Sequence, residues 1–120
     1  MNEFKINVDL NQSFQSCIDK CNKCAQTCYE CFNLCLDEPD VAARRNCIKT
    51  LVECAEMCQM AATLMAMKGQ FIQEHCQFCA SICEKCAQEC SAFQDEHCQK
   101  CMLECRNCVE ECRKMGFIKG

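Results

Sequence analysis

The residues of this chain that can do chemistry are its cysteines, 19 of them in 120 residues. Cys17, Cys21, Cys24, Cys28, Cys31 and Cys35 follow one another at alternating steps of four and three. Cys76, Cys79, Cys83, Cys86 and Cys90 step three and four, and Cys98, Cys101, Cys105, Cys108 and Cys112 repeat that series. Cys47, Cys54 and Cys58 keep the rhythm once Leu51, Ala61 and Met65 are read as members of it. Such steps trace one face of an α-helix, so the thiols form stripes on helices. A lone buried thiol is a small inert hydrophobe. A whole seam of them would underfill a core and invite oxidation, which makes packing a poor reason for it. A closed disulfide framework sits badly with an odd count, and facing helix axes about 8–10 Å apart permit a bridge only where Cβ vectors converge.

The stripes read instead as metal ligands, and ligand chemistry selects the metal. Structural Zn²⁺ takes four thiolates in a tetrahedron, usually from C-x-x-C knuckles on turns. Iron–sulfur clusters use loop cysteines around a bulky inorganic core. A continuous ladder on straight helices suits neither, whereas thiolates select Cu(I), which accepts low coordination numbers. Residues four apart on a helix have Cβ atoms about 5–6 Å apart, room for a two-coordinate ion between their sulfurs. The pairs Cys17/Cys21, Cys24/Cys28, Cys31/Cys35, Cys54/Cys58, Cys79/Cys83, Cys86/Cys90, Cys101/Cys105 and Cys108/Cys112 have that spacing; Cys47, Cys76 and Cys98 must find partners across the fold. Charge agrees: about one Cu(I) per thiolate leaves the core neutral, whereas Zn²⁺ on four thiolates leaves −2 per site.

The elements that position these thiols follow from the punctuation. Asp37-Glu38-Pro39-Asp40 stops a first helix and starts a second, because Pro39 cannot continue a ladder. Lys68-Gly69-Gln70 ends the second, Asp95 caps the fourth after a break at Phe93-Gln94, and Gly116 terminates it. Short connections force neighbours antiparallel, so the sequence predicts an all-α, up-down-up-down four-helix bundle over residues 12–116, with helices at about 12–36, 40–67, 70–92 and 95–115. Residues 117–120 form a tail, and in segment 1–11 the alternation of Phe4, Ile6, Val8 and Leu10 predicts an extended strap or edge strand. The cysteines face inward. Ile18, Ala25, Phe32, Ile48, Ala55, Ala62, Ala80 and Ala87 flank them, and Asp19, Lys20, Lys23, Glu30, Glu53, Glu84, Lys85, Glu104, Arg106 and Arg113 face solvent.

His75 and His97 stand one residue before the first cysteine of the third and fourth helices, hence at opposite ends of an antiparallel bundle. Thioether and imidazole hold Cu(I) less tightly than thiolate, as a port should. His75, Met65, Met60, Met67 and Met115 are the candidate port ligands at one end and His97 at the other; gap-filling core methionines are the plainer alternative. The net charge of −4 gives no basic face for nucleic acid, and no stretch approaches the ~18 apolar residues of a membrane span. The first residues carry no secretory-type apolar run, which points to a cytoplasmic protein. No Ser/His/Asp set, Gly-rich phosphate loop or distinct redox pair argues for an enzyme. The rival is a thiolate-rich helical protein that buffers zinc or cycles disulfides.

The run Cys17-x3-Cys21-x2-Cys24-x3-Cys28-x2-Cys31-x3-Cys35 and the two five-cysteine series resemble the bacterial copper storage proteins over about residues 12–115. The absence of a leader resembles the cytosolic branch. The resemblance implies tetramers of four-helix bundles, multinuclear clusters in the core and binding that approaches or slightly exceeds one Cu(I) per cysteine. It also implies storage, sequestration and detoxification of copper, with supply to copper enzymes and delivery by a copper chaperone or small-thiol carrier. The second helix departs from the pattern, with only three cysteines, so copper should be sparser along it.

Overall fold

The computed structural model describes the backbone of residues 3–115 and the side chains of residues 12–115. It contains helices α1 (Glu3–Cys35), α2 (Arg45–Ala66), α3 (Ile72–Ser91) and α4 (Glu96–Met115), with a 3-10 turn at Val41–Arg44 leading into α2. No strand occurs among the described residues. Each helix packs against its neighbours in sequence, and α1 closes the ring on α4. Cross-helix pairs run in opposite senses: Cys17 meets Cys112 while Cys35 meets Cys98, and Cys47 meets Cys90 while Cys58 meets Cys79. The result is an antiparallel four-helix bundle measuring 58 × 22 × 18 Å.

The amino-terminal segment differs from expectation: the backbone over residues 3–11 is helical, not extended. No Gly or Pro stands before Pro39 to break the helix, and adding a residue to a formed helix avoids the nucleation cost. The series Leu10, Phe14, Cys17 already carried the helical step backwards. Met1, Asn2, Gly116 and the tail at 117–120 lie outside the described residues.

The second helix begins later than residue 40 because Asp40 does not cap it. Its carboxylate instead accepts the Nε–H of Arg44 at 2.7 Å, and the 3-10 turn intervenes. At the other end of α2 the N–H groups of Lys68 and Gly69 bond to the carbonyls of Met65 and Leu64, the paired bonds of a Schellman stop. Lys68, at φ 55°, takes the left-handed position, and Gly69 lets the chain pass Leu64, whose Cδ2 would lie 3.3 Å from an added Cβ. Asp95 caps α4 as expected, its Oδ2 accepting the N–H of Cys98 at 3.1 Å.

All the cysteines face inward and none is more than 1% exposed. Leu51, Ala61 and Met65 take the seam positions that thiols leave on α2, fully buried. Ala25, Ala55, Ala62, Ala80 and Ala87 are buried beside the sulfurs, and Ile18, Phe32 and Ile48 pack half-buried around them. Small residues at these flanks let the helices approach closely enough for short thiol side chains to meet. Leu51 is the largest fully buried side chain. Replacing it with Ala should cost about 2–5 kcal/mol of apo-protein stability, measured by chemical denaturation of the reduced chain.

Candidate metal centre

The sulfurs touch across helices as closely as within them. Within a helix, Cys31–Cys35, Cys79–Cys83, Cys101–Cys105 and Cys108–Cys112 approach to 3.8–4.0 Å. Across helices, Cys58 lies 3.5 Å from Cys83 and 3.7 Å from Cys108, Cys54 lies 3.6 Å from Cys83, and Cys28 lies 3.7 Å from Cys101. A path of contacts no longer than 4.0 Å runs from Cys17 through Cys112, Cys21, Cys108, Cys58, Cys83, Cys54, Cys24, Cys105 and Cys28 to Cys101, with Cys79 beside Cys58. Cys47 pairs with Cys90 at 3.9 Å, and Cys31, Cys35 and Cys98 form their own group at the far end. Cys76 interacts with Cys17 and Cys112, and Cys86 joins Cys28, Cys101 and Cys105. The one-helix pairs read from spacing are thus parts of a sheath of sulfur lining the bundle.

Several quartets have ligand atoms all within 4.8 Å of one another: Cys21/Cys79/Cys108/Cys112, Cys24/Cys28/Cys54/Cys105, Cys24/Cys58/Cys83/Cys108 and Cys28/Cys86/Cys101/Cys105. Each could surround one tetrahedral ion, but they overlap. Cys24, Cys28, Cys105 and Cys108 each belong to two of these quartets. Shared sulfurs suit bridging thiolates in multinuclear Cu(I) clusters better than isolated Zn²⁺ sites, which need four thiolates apiece.

A fifth group brings a histidine to sulfur: Cys31, Cys35, His97 and Cys98. His97 Nδ1 lies 3.4 Å from Cys31 Sγ, 3.7 Å from Cys98 Sγ and 3.9 Å from Cys35 Sγ. Its Nε2 faces carboxylates, 3.0 Å from Glu38 Oε1 and 2.9 Å from Asp95 Oδ2. These acceptors favour the tautomer with its proton on Nε2, which leaves the Nδ1 lone pair aimed at the sulfurs. A side groove of about 280 Å³ between α1 and α4, lined by Thr27, Glu30, Cys31, Leu34, Glu96, His97 and Lys100, reaches this group from solvent.

The other candidates are placed differently. Met65 and Met115 are buried core residues, whereas Met60 and Met67 are 51% and 66% exposed on the outer surface. His75 directs Nε2 to the backbone oxygen of Met57 at 3.2 Å. At the cysteine-poor end of α2, Met65 is buried and the Lys68 ammonium lies over the Phe14 ring at 4.5 Å, beside a cavity of about 550 Å³ lined by Phe14, Lys68, Ile72 and Glu74. Arg44 was missed by reasoning from ligand types: it is 5% exposed and its Nη1 donates to Cys35 and Cys98. The signal was present, because Arg44, Cys47, Leu51, Cys54, Cys58, Ala61 and Met65 continue the steps of three and four.

The sequence profile of the copper storage proteins matches residues 10–116. This chain belongs to that family. A cysteine-rich protein of Bacillus subtilis (strain 168), YhjQ, is 38% identical over 81 residues, spanning 68% of this chain and 75% of its own. The apo copper storage protein 3 of Bacillus subtilis superposes with a TM-score of 0.79 at 37% identity, covering 85% of this chain and 97% of that one. A cytosolic copper storage protein from Streptomyces lividans, described with five coppers, superposes at 0.85 with 32% identity, covering 92% and 98%.

Burial and hydrogen bonds between sulfurs both shift the protonation of the core thiols, and at Cys35 burial comes first. Cys35 is pushed up from the ordinary 9.0 to about 11, first by burial, with the Arg44 N–H bond opposing. Cys58 and Cys90 are also pushed well above the usual thiol range, first by their hydrogen bonds to Cys108 and Cys101. A thiol whose folded pKa exceeds its unfolded value contributes stability below the unfolded value and loses it as pH rises through the folded one. Reduced apo protein should therefore lose stability as pH rises from about 9 to about 11, the window set by Cys35, as followed by anaerobic thermal melts.

Proposed function

We propose that this protein stores Cu(I) on the thiolates of its core, about one ion per cysteine, in multinuclear clusters bridged by shared sulfurs. The observation that carries the reading is the nearly continuous sulfur sheath, with every cysteine buried and free. No other element of the core supplies charge on the scale of those thiolates, so the cargo must be monovalent and numerous to leave the interior neutral. Family membership and the copper-bearing relatives support the same conclusion. Binding proceeds by ligand exchange: Cu(I) leaves a small-thiol or chaperone carrier, thiol protons leave for solvent, and no bond in a substrate is broken. The role is storage and sequestration, with detoxification and supply to copper enzymes as its uses, and no catalysis.

His97 is the proposed port ligand, supported by the lone pair aimed at Cys31, Cys35 and Cys98 and by the groove that reaches them. The cytoplasm is the proposed location, in keeping with the cytosolic Streptomyces lividans relative. A tetramer is the proposed assembly, as the resemblance of the cysteine series implies, and large apolar side chains on the surface such as Phe71 and Phe78 support association.

Anaerobic titration of reduced protein with Cu(I) against a competing chelator tests the function. Saturation near the 19 thiols of each chain is expected, together with a higher melting temperature for loaded than for apo protein, because metal binds the folded state. Saturation at a handful of ions, or displacement of copper by Zn²⁺, would favour zinc buffering in those sulfur quartets that share no ligand. His97→Ala should slow uptake roughly tenfold, the order of a lost supporting contact at a metal site, with capacity unchanged; stopped-flow transfer from a coloured Cu(I) chelate reads the rate.

A further inference from the structure

Among the described residues, Arg44 is the one buried charged side chain, and it occupies a seam position where another thiol or an aliphatic residue would continue the core. A buried guanidinium carries a desolvation penalty that apolar packing avoids, so its retention needs a reason. Every arm of it is held. Nε donates to Asp40 Oδ1 at 2.7 Å, and Nη2 lies 2.6 Å from Asp95 Oδ1, an ion pair whose angles fall outside hydrogen-bond geometry. Nη1 donates to Cys98 Sγ at 3.4 Å and to Cys35 Sγ at 3.5 Å, and the guanidinium stacks on the Phe93 ring with 4.4 Å to its centroid. Asp40 is half exposed and Asp95 is only 19% exposed. The guanidinium thus joins a carboxylate pair near the surface to the sulfurs within.

We propose that Arg44 is a positioning residue for the first copper bound at this end, aiming Cys35 and Cys98 at one Cu(I) and stabilising the charge that the pair acquires. Two thiols lose two protons to solvent as one Cu(I) leaves its carrier and bonds to both sulfurs, so the bis-thiolate unit carries one net negative charge. No electron moves. Among the described residues, no other pair in the sulfur sheath has a buried cation beside it. A sulfur with two bonds to copper and carbon keeps lone pairs for an N–H donor, so the Arg44 contacts survive loading. The advantage belongs to low occupancy, because near one copper per thiolate the remaining core is neutral without help. The planar fork is specific to arginine; lysine keeps the charge but cannot engage both sulfurs and both carboxylates at once in one fixed geometry. Removing the guanidinium would also leave Asp95 close to the copper-bearing thiolates with nothing between.

This inference rests on Cu(I) storage, and the experiment separates the two. Wild-type, Arg44→Gln and Arg44→Lys chains are titrated anaerobically with Cu(I) against a chelator, reading the affinity of the first equivalent, the affinity of later equivalents and the total capacity. In Arg44→Gln the first equivalent should bind about tenfold more weakly, with later equivalents and capacity unchanged; Arg44→Lys should fall between the two. An unchanged first equivalent in Arg44→Gln overturns the proposal, as does a uniform loss at every step, which marks a packing role. Should Arg44→Gln fail to fold, Arg44→Lys decides, since wild-type affinity in that variant overturns the fork. A wild-type chain that saturates at a handful of ions overturns storage itself.

Discussion

Contact between sulfur atoms on facing helices is the constraint on which the rest of this molecule depends. A thiol reaches only one atom beyond Cβ, so sulfurs 3.5–3.9 Å apart across a bundle require helix axes drawn close together. The alanines beside the seam permit that approach, and the longer Leu51, Met65 and Met115 fill layers where thiols are fewer. The cost is a core poor in aliphatic area, held by weak S–H contacts and dispersion. Such an interior stands to gain stability when soft cations replace its thiol protons, because metal bound to the folded state adds to folding free energy. Stability and cargo are therefore one property.

The two ends of the bundle are chemically unlike. At one, buried thioethers adjoin a lysine lying over an aromatic ring. The other gathers Arg44, Asp40, Asp95, Glu38 and His97 around the outermost thiols. In that polar cluster the carboxylates face the imidazole Nε2, and the guanidinium donates to two sulfurs. The same Asp95 also caps α4, so the helix that carries five cysteines begins from the residue that orients both His97 and Arg44. A single carboxylate ties helix initiation to the mouth of the metal core.

Overlap among the sulfur quartets separates one metal chemistry from another. Distances near 4 Å are compatible with a tetrahedral ion, so spacing alone does not discriminate. Sharing does: a sulfur that belongs to two quartets would have to bridge if both held an ion, and bridging with one positive charge per thiolate is the pattern that leaves a dry interior neutral.

What the sequence by itself determined was periodic. Alternating steps of three and four made the helices, the inward thiol stripes and the antiparallel bundle legible, since each depends only on residues near one another in the chain and on short connections. The same rhythm ran back through Leu10 and Phe14, yet the period-two alternation of Phe4, Ile6, Val8 and Leu10 pointed to an extended strap; helix propagation prevailed because nothing interrupts it. Tertiary structure decided what depends on residues far apart: which sulfurs meet across helices, which quartets overlap, and which end is polar. Arg44 lies on the seam in sequence, but only the convergence of the α1 terminus, the 3-10 turn and the start of α4 makes its charge a neighbour of Cys35 and Cys98. Periodicity along a helix assigns a side chain to a face; the contacts that face makes belong to the other helices, and a single sequence does not encode them as a local pattern.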